Sequence, residues 1–152
     1  MTIGIVCKGG VNTGLGHLHR TISFIEDAKA FADFRLIAII DKGLEVLFKD
    51  IPNASFVYNE TDLPQALNSI PATIDHCIID CVELNEDNQQ LLRKKFQRII
   101  SLSPVFNNYD IVDVLFTRFT EAQYPPSVKV YSGLQYSIFD NHCRQIEDYQ
   151  YD

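Results

Sequence analysis

The most distinctive chemistry in this sequence lies at residues 11–20, which read VNTGLGHLHR and directly follow an apolar run at the amino terminus. Gly14 and Gly16 can adopt positive φ, and without Cβ atoms they let a ligand approach the backbone closely. A helix that begins after them offers free N–H groups and a partial positive charge to an anion or a developing oxyanion. The same charge disfavours an imidazolium, so the segment predicts a neutral His17 that can accept a proton.

Other sites that glycine and histidine can build fit this segment less well. It lacks the third glycine of the GxGxxG dinucleotide fingerprint, and Asp41 is only an approximate candidate for the acidic residue that binds the ribose. No P-loop pattern occurs, and His17 and His19 point to different sides of a helix, which disfavours a metal site. We therefore expect no cofactor and no metal. A glycine turn beside a histidine that only caps or packs remains an equally open interpretation.

Short apolar strands alternate with helical periods along the chain, a pattern typical of an α/β domain with a mostly parallel sheet. Strands are predicted at 3–6, 35–40, 54–58, 76–80, 98–102, 111–116 and 128–131. Helices are predicted from about His17 to Ala32 and at 44–49, 63–69 and 85–96. Several strands are apolar on both faces, which suits a sheet covered by helices on both sides.

Composition narrows the class of partner. The chain has 152 residues, of which 46% are hydrophobic, enough for one domain with a sizeable core. Its net charge of −7 and lack of a basic run argue against nucleic acid or an anionic membrane surface as the main partner. The sequence shows no secretory signal and no membrane span, so we expect a cytoplasmic protein. Its cysteines form no CxxC pair and are expected to be reduced, structural thiols: Cys7, Cys77, Cys81 and Cys143.

The predicted sheet should bring three segments together at one edge. The 8–20 loop, Asp80 and the 102–104 loop all follow strands whose carboxyl ends face the same way, and ligands of α/β proteins bind at such an edge. Asp80 is either a substrate contact or a carboxylate that caps its own loop. Arg20, one helical turn past His17, lies either in the same cleft or on a solvated helix face.

The order of these motifs resembles that of a known family. The sequence has a strand, a loop, G-x-G-H-x-x-R and an amphipathic helix, followed by IID at 78–80, QRIISLS at 97–103, YDIVDVLFTRF at 109–119 and YSGLQYSIF at 131–139. It resembles the UDP-sugar hydrolase of pseudaminic acid biosynthesis and the related glycosyltransferase-like proteins of spore-coat polysaccharide biosynthesis. The resemblance implies the amino-terminal, Rossmann-like half of a GT-B architecture at 1–140, with a polar tail or the start of an interdomain linker at 141–152.

This resemblance also implies a reaction and a set of site residues. In that family the histidine of GxGH activates water for attack on the anomeric carbon of a nucleotide sugar, and it corresponds to His17. The candidate substrate-binding residues are Lys8, Gly14, Gly16, Arg20 and Asp80. The implied substrate is a UDP-sugar of surface-polysaccharide or nonulosonic-sugar synthesis. A carboxyl-terminal half that grips the UDP is the implied partner.

Several positions depart from the family pattern and leave two functions open. Lys8 and Gly10 replace an arginine and an aspartate, Val82 stands where a tyrosine follows IID, and Ser103 and Pro104 replace paired aspartates. These changes remove polar groups from the substrate side. The chain is then either one half of a hydrolase or glycosyltransferase-like enzyme, or a catalytically incomplete module that binds a sugar or a partner.

The segment around 131–139 is the candidate docking face. A half of a two-domain protein should retain an exposed apolar surface where the other half packs, and such surfaces are uncommon on monomers. Tyr136, Ile138 and Phe139 lie close together in this segment. Self-association as a homo-oligomer is one expected use of the face.

Overall fold

A single parallel sheet organises the chain. The computed structural model describes residues 1–103, 109–119, 123–136 and 138. In chain order the strands are β1 Thr2–Gly9, β2 Asp33–Ile40, β3 Ala54–Val57, β4 His76–Asp80, β5 Arg98–Ser101, β6 Val114–Thr117 and β7 Lys129–Ser132. They lie side by side in the order β3-β2-β1-β4-β5-β6-β7, and each neighbouring pair is parallel.

Helices or 3₁₀ turns connect the first five strands. The α-helices of the described residues are α1 Gly16–Ala28, α2 Leu63–Asn68 and α3 Glu86–Lys95, and short 3₁₀ turns occur at Leu44–Phe48, Glu60–Asp62 and Leu134–Tyr136. The start of α3 is fixed by Asn85, whose side chain accepts a hydrogen bond from the Asn88 backbone N–H at 2.8 Å. Acidic residues in its first turn and basic residues in its last suit the helix dipole.

Two apolar layers lie on opposite faces of the sheet, because successive side chains of a strand alternate in direction. Ile5 of β1 belongs to the layer that contains Leu18 and Ile25 of α1. Val6, the next residue, belongs to the layer beneath α2 and α3, with Leu67 and Leu92. The predicted α/β fold, with a mostly parallel sheet and helices on both faces, is therefore confirmed as a Rossmann-like domain.

Some predicted boundaries differ from those observed. The first helix ends at Ala28, because the chain turns there: the Ala28 carbonyl accepts hydrogen bonds from the N–H groups of Phe31 and Ala32. The sixth strand begins at Val114, because the preceding apolar pair Ile111 and Val112 is buried in a turn instead of a strand. Segment 44–48 forms a 3₁₀ turn, and 141–152 lies outside the described residues.

The described cysteines are free thiols in the interior. Cys7, Cys77 and Cys81 are fully buried and unpaired with one another, while Cys143 lies outside the described residues. Burial raises the pKa of the Cys7 and Cys77 thiols well above the ordinary value, so they are protonated and unreactive at neutral pH. Across the described residues, no helix is long and apolar enough to cross a membrane.

The strand order creates one natural crevice. From β1 the chain moves outward through β2 to β3 and then returns to place β4 on the other side of β1. The loops that leave β1 and β4 therefore diverge at the carboxyl edge of the sheet, and ligands of open α/β sheets bind at such a switch point.

Candidate functional site

The glycine loop delivers His17 to this crevice. After β1, Gly10 and Gly14 exchange backbone hydrogen bonds, with 2.8 Å between the Gly14 nitrogen and the Gly10 oxygen. Gly14 has a φ of 84°, a left-handed conformation that favours glycine. Helix α1 then begins at Gly16, and the preceding Leu15 provides no side-chain cap, so the first N–H groups of the helix have no capping side chain. His17 follows in the first turn.

Asp80 lies opposite His17, at the end of β4, and its side chain is fully buried. Its Oδ1 lies 2.7 Å from Nδ1 of His17. Arg20 donates from Nε to Oδ2 at 2.8 Å and from Nη2 to Oδ1. Thr21 and Ser103 add hydroxyl donors at 3.4 and 3.2 Å. A carboxylate that is buried and so fully hydrogen-bonded is held in one orientation.

These contacts settle the charge of Asp80. Burial by itself would raise the pKa of the Asp80 carboxyl, because it penalises the charged form. The hydrogen bonds and positive charge of Arg20, together with the hydrogen bond from His17, outweigh burial and hold the pKa below its usual value. Asp80 is therefore ionised at neutral pH.

The ionised carboxylate in turn fixes the proton of His17. Both Asp80 oxygens can only accept hydrogen bonds, so the 2.7 Å contact to Nδ1 requires a proton on that nitrogen. Nη2 of Arg20 lies 2.9 Å from the same nitrogen, which cannot accept from it while protonated. In the neutral ring, Nε2 then carries a lone pair and is available as a proton acceptor.

The cleft beside His17 has a volume of about 490 Å³. Its polar wall includes Gly16, His17, Arg20, Ser103 and Arg118. Its apolar wall includes Val82, Phe116, Phe119, Leu134 and Tyr136. A cavity of this size, with few polar groups and a large apolar surface, is typical of sites for small molecules.

Some of the predicted site residues meet at the cleft and others lie elsewhere. The structure brings His17, Gly16, Arg20 and Asp80 together at the predicted edge of the sheet, with Asp80 behind His17 and closed to solvent. Gly14 shapes the loop but does not line the cleft.

Lys8 lies in a separate groove, where its Nζ donates to Glu60 at 2.6 Å. Asp41 lines the same groove and accepts a hydrogen bond from the Val11 N–H at 2.8 Å, so it holds the glycine loop in place. A Cβ atom on Gly10 would lie 2.5 Å from an Asp41 oxygen, so a side chain at this position would displace the carboxylate that holds the loop.

Sequence reasoning missed several residues of the site. Ser103, interpreted as the loss of a polar group, donates to Asp80, and Thr21 does the same from α1. Arg118, Phe116 and Phe119 were not candidates, and Tyr136 was a candidate only for the docking face. A usable signal existed, because Ser103 lies two residues past the end of β5 and Arg118 directly follows β6. The carboxyl ends of all parallel strands meet at this edge.

The predicted docking face is partly described. Leu134 is 73% exposed and Tyr136 is 38% exposed, whereas Ile138 packs against the apolar layer that contains α1. Phe139 lies outside the described residues. The exposed apolar surface here borders the cleft beside His17.

No protein-family model, curated protein or solved structure matches this chain. Within the described ranges, no group of three or more histidine, cysteine, aspartate or glutamate side chains is arranged to hold a metal ion. The chemistry of the site therefore rests on the geometry of its own residues.

Proposed function

We propose that this chain forms the sugar-side half of a nucleotide-sugar hydrolase or glycosyltransferase, with His17 as its general base. The observation that carries the proposal is the contact of His17 Nδ1 with the buried, ionised Asp80 on the wall of an open cleft. A histidine held in this way by a carboxylate is a common arrangement for general-base catalysis.

The proposed reaction uses the free nitrogen of His17. A water molecule, or a sugar hydroxyl in the transfer reaction, donates a hydrogen bond to Nε2. As its oxygen attacks the anomeric carbon, its proton passes to Nε2 and the bond to the departing nucleoside diphosphate breaks. Asp80 stabilises the imidazolium that forms. General-base catalysis of this kind typically contributes roughly 10²–10⁴-fold to the rate.

Arg20 has a positioning role in this proposal. Two of its N–H groups donate hydrogen bonds to Asp80, so we assign its guanidinium to binding this carboxylate and not the substrate. By keeping Asp80 ionised, Arg20 keeps the proton of His17 on Nδ1. The residue therefore acts through Asp80.

The proposed substrate also carries a nucleotide. We assign it to a carboxyl-terminal half, as the resemblance implies, and place the reaction in the cytoplasmic synthesis of surface polysaccharide or nonulosonic sugars. Binding energy from such a remote part of the substrate holds the reacting carbon against the base. We therefore expect only weak, non-saturating hydrolysis by this chain alone.

One observation favours a second function, a sugar- or partner-binding module without catalysis. Val82 lines the cleft, so an apolar side chain stands where the resemblance implies a tyrosine. The site then lacks a second group to handle protons. In this alternative, His17 and Asp80 stabilise the loop, and the cleft binds a sugar or a partner without catalysing a reaction.

The test compares hydrolysis of a panel of UDP-sugars by the 152-residue chain, alone and co-expressed with a UDP-binding half. We expect activity to appear with the second half and to disappear in His17→Ala. His19→Ala is the matched control, because His19 is exposed two residues away on another side of α1. Brisk, saturable turnover by the isolated chain would contradict the half-enzyme proposal, and binding without turnover in every combination would favour the binding module.

A further inference from the structure

The charges around the cleft do not cancel. Arg20 and Asp80 form a closed pair, and the same carboxylate holds His17. Arg118 also lines the cleft, and within the described residues it forms no ion pair with a carboxylate. Among the described residues that line the cleft, the charge is therefore positive, although the chain as a whole carries a net charge of −7.

The backbone around Arg118 is held in place. Thr117, the last residue of β6, is buried, and its Oγ1 accepts a hydrogen bond from the Phe119 N–H at 3.1 Å. The Thr117 carbonyl accepts another from the Gly133 N–H at 3.0 Å. The Arg118 guanidinium carbon lies 5.2 Å from the centroid of the Phe119 ring, within the range of a cation–π interaction. Arg118 is thus an exposed residue between two residues, Thr117 and Phe119, that are hydrogen-bonded.

An aromatic cluster continues the wall next to Arg118. The rings of Phe116 and Tyr131 are stacked, with centroids 5.1 Å apart, and the Tyr136 ring lies 5.9 Å from Phe116. Phe116, Phe119 and Tyr136 all line the cleft. Flat aromatic surfaces of this kind bind ligands with an apolar ring face.

We propose that Arg118 is a specificity-determining residue that selects ligands with a phosphate or carboxylate group next to a ring packed on this aromatic wall. The proposal rests on the proposed function in taking that ring to be a sugar. The planar fork of an arginine matches either anionic group with two parallel hydrogen bonds. Arg20 is less suited to this recognition, because two of its five N–H donors are directed at Asp80 and that carboxylate offsets its charge.

The experiment measures the affinity of the full chain for glucose, glucose 1-phosphate and glucuronate by NMR titration at low ionic strength. These three probes share one ring and differ in the charged group. We expect at least one of the two anions to bind about tenfold more tightly than glucose, since charge-assisted hydrogen bonds contribute that order of affinity. Tighter binding of glucose 1-phosphate alone identifies phosphate, and tighter binding of glucuronate alone identifies carboxylate.

Arg118→Gln should abolish this preference, and Arg118→Lys should retain only part of it, because lysine keeps the charge and loses the fork. Arg98→Gln is the control, since Arg98 is an exposed arginine at the amino end of β5 and does not line the cleft. A preference that survives Arg118→Gln, equal affinity for all three probes, or no binding of either anion would overturn the proposal.

The outcome is separable from that of the proposed function. An anion preference that depends on Arg118, in a chain that never hydrolyses UDP-sugars with any second half, would retain this inference and remove the enzymatic proposal. Hydrolysis that depends on His17 without any such preference would do the reverse.

Discussion

The two walls of the cleft are built in contrasting ways. On the α1 side, a fully buried Asp80 accepts hydrogen bonds from His17, Arg20, Thr21 and Ser103. On the β6–β7 side, aromatic rings pack on one another and remain partly exposed. A saturated polar network fixes a reacting group in one geometry, whereas an open aromatic surface tolerates ligands of different shape. In the proposals made above, the first wall carries the chemistry and the second wall carries the recognition.

Removing the centre of the polar wall should have the largest effect. Asp80→Ala leaves the Arg20 charge without its partner and removes one acceptor from the hydroxyl of Ser103. Breaking a buried ion pair typically costs about 3–5 kcal/mol, and we expect a loss of that order in the free energy of unfolding measured with urea. Asp50→Ala, at an exposed position, should change it by less than about 0.5 kcal/mol. Equal effects of the two substitutions would contradict the account.

Low pH should reduce the contribution of Asp80 to the stability of the fold. The pKa of Asp80 is lower in the folded chain than its ordinary value, so its contribution to stability is fully present above that ordinary value and is lost as the pH falls through the folded pKa. Asp80→Asn cannot titrate at this position. The difference in unfolding free energy between the wild type and Asp80→Asn should therefore narrow as the pH is lowered from neutral into the acid range. A difference that stays constant with pH would be inconsistent with an ionised Asp80.

The glycine loop should show a smaller effect that depends on position. Gly14→Ala forces a side chain into left-handed backbone at a φ of 84°, which costs about 1–2 kcal/mol. Gly16→Ala is the control, because a Cβ atom there meets nothing within 4 Å and the residue begins a helix, where alanine is favourable. Thermal unfolding should separate the two variants. Equal melting temperatures would show that the loop does not require the conformation of Gly14.

The aromatic wall should contribute least to folding and more to binding. Tyr136→Ala removes ring contacts with Phe116 and Tyr131 that are worth about 0.5–1.5 kcal/mol each, so we expect a modest loss of stability. Its affinity for whichever of glucose 1-phosphate and glucuronate the wild type prefers should fall by several-fold. Leu134→Ala, at a more exposed position of the same wall, should affect both properties less. A Tyr136→Ala variant that is much less stable yet binds the probe normally would show that the aromatic wall contributes to folding and not to binding.

Much of the fold could be predicted from the sequence, because buried parallel strands read as short apolar runs and α1 has a clear helical period. The predicted start of the sixth strand was wrong, because buried apolar residues there do not form a strand. Ile111 and Val112 are apolar residues of the kind found in buried strands. Their side chains are buried, but their backbone forms a turn that precedes β6. Such a boundary depends on tertiary packing, which local pattern does not contain.

The candidate site was only partly predictable, and strand alternation explains which part. Asp80 lies two residues after Ile78, which faces α1, so its side chain reaches His17. Lys8 lies two residues after Val6, which faces the opposite layer, so its side chain pairs with Glu60 instead. Counting along the strands would have separated these two candidates. The network around Asp80 required coordinates, because its members come from three separate segments of the chain.

The most direct test of the account is the tautomer of His17. The ¹⁵N chemical shifts of its imidazole, assigned by comparison with His17→Gln, distinguish a proton on Nδ1 from one on Nε2. At about pH 8.5, where an ordinary histidine is neutral, we predict the tautomer protonated on Nδ1, with Nε2 free on the cleft side. In Asp80→Asn this preference should weaken. A wild-type His17 protonated on Nε2 would contradict the central claim, because no lone pair would then remain to accept a proton in the cleft.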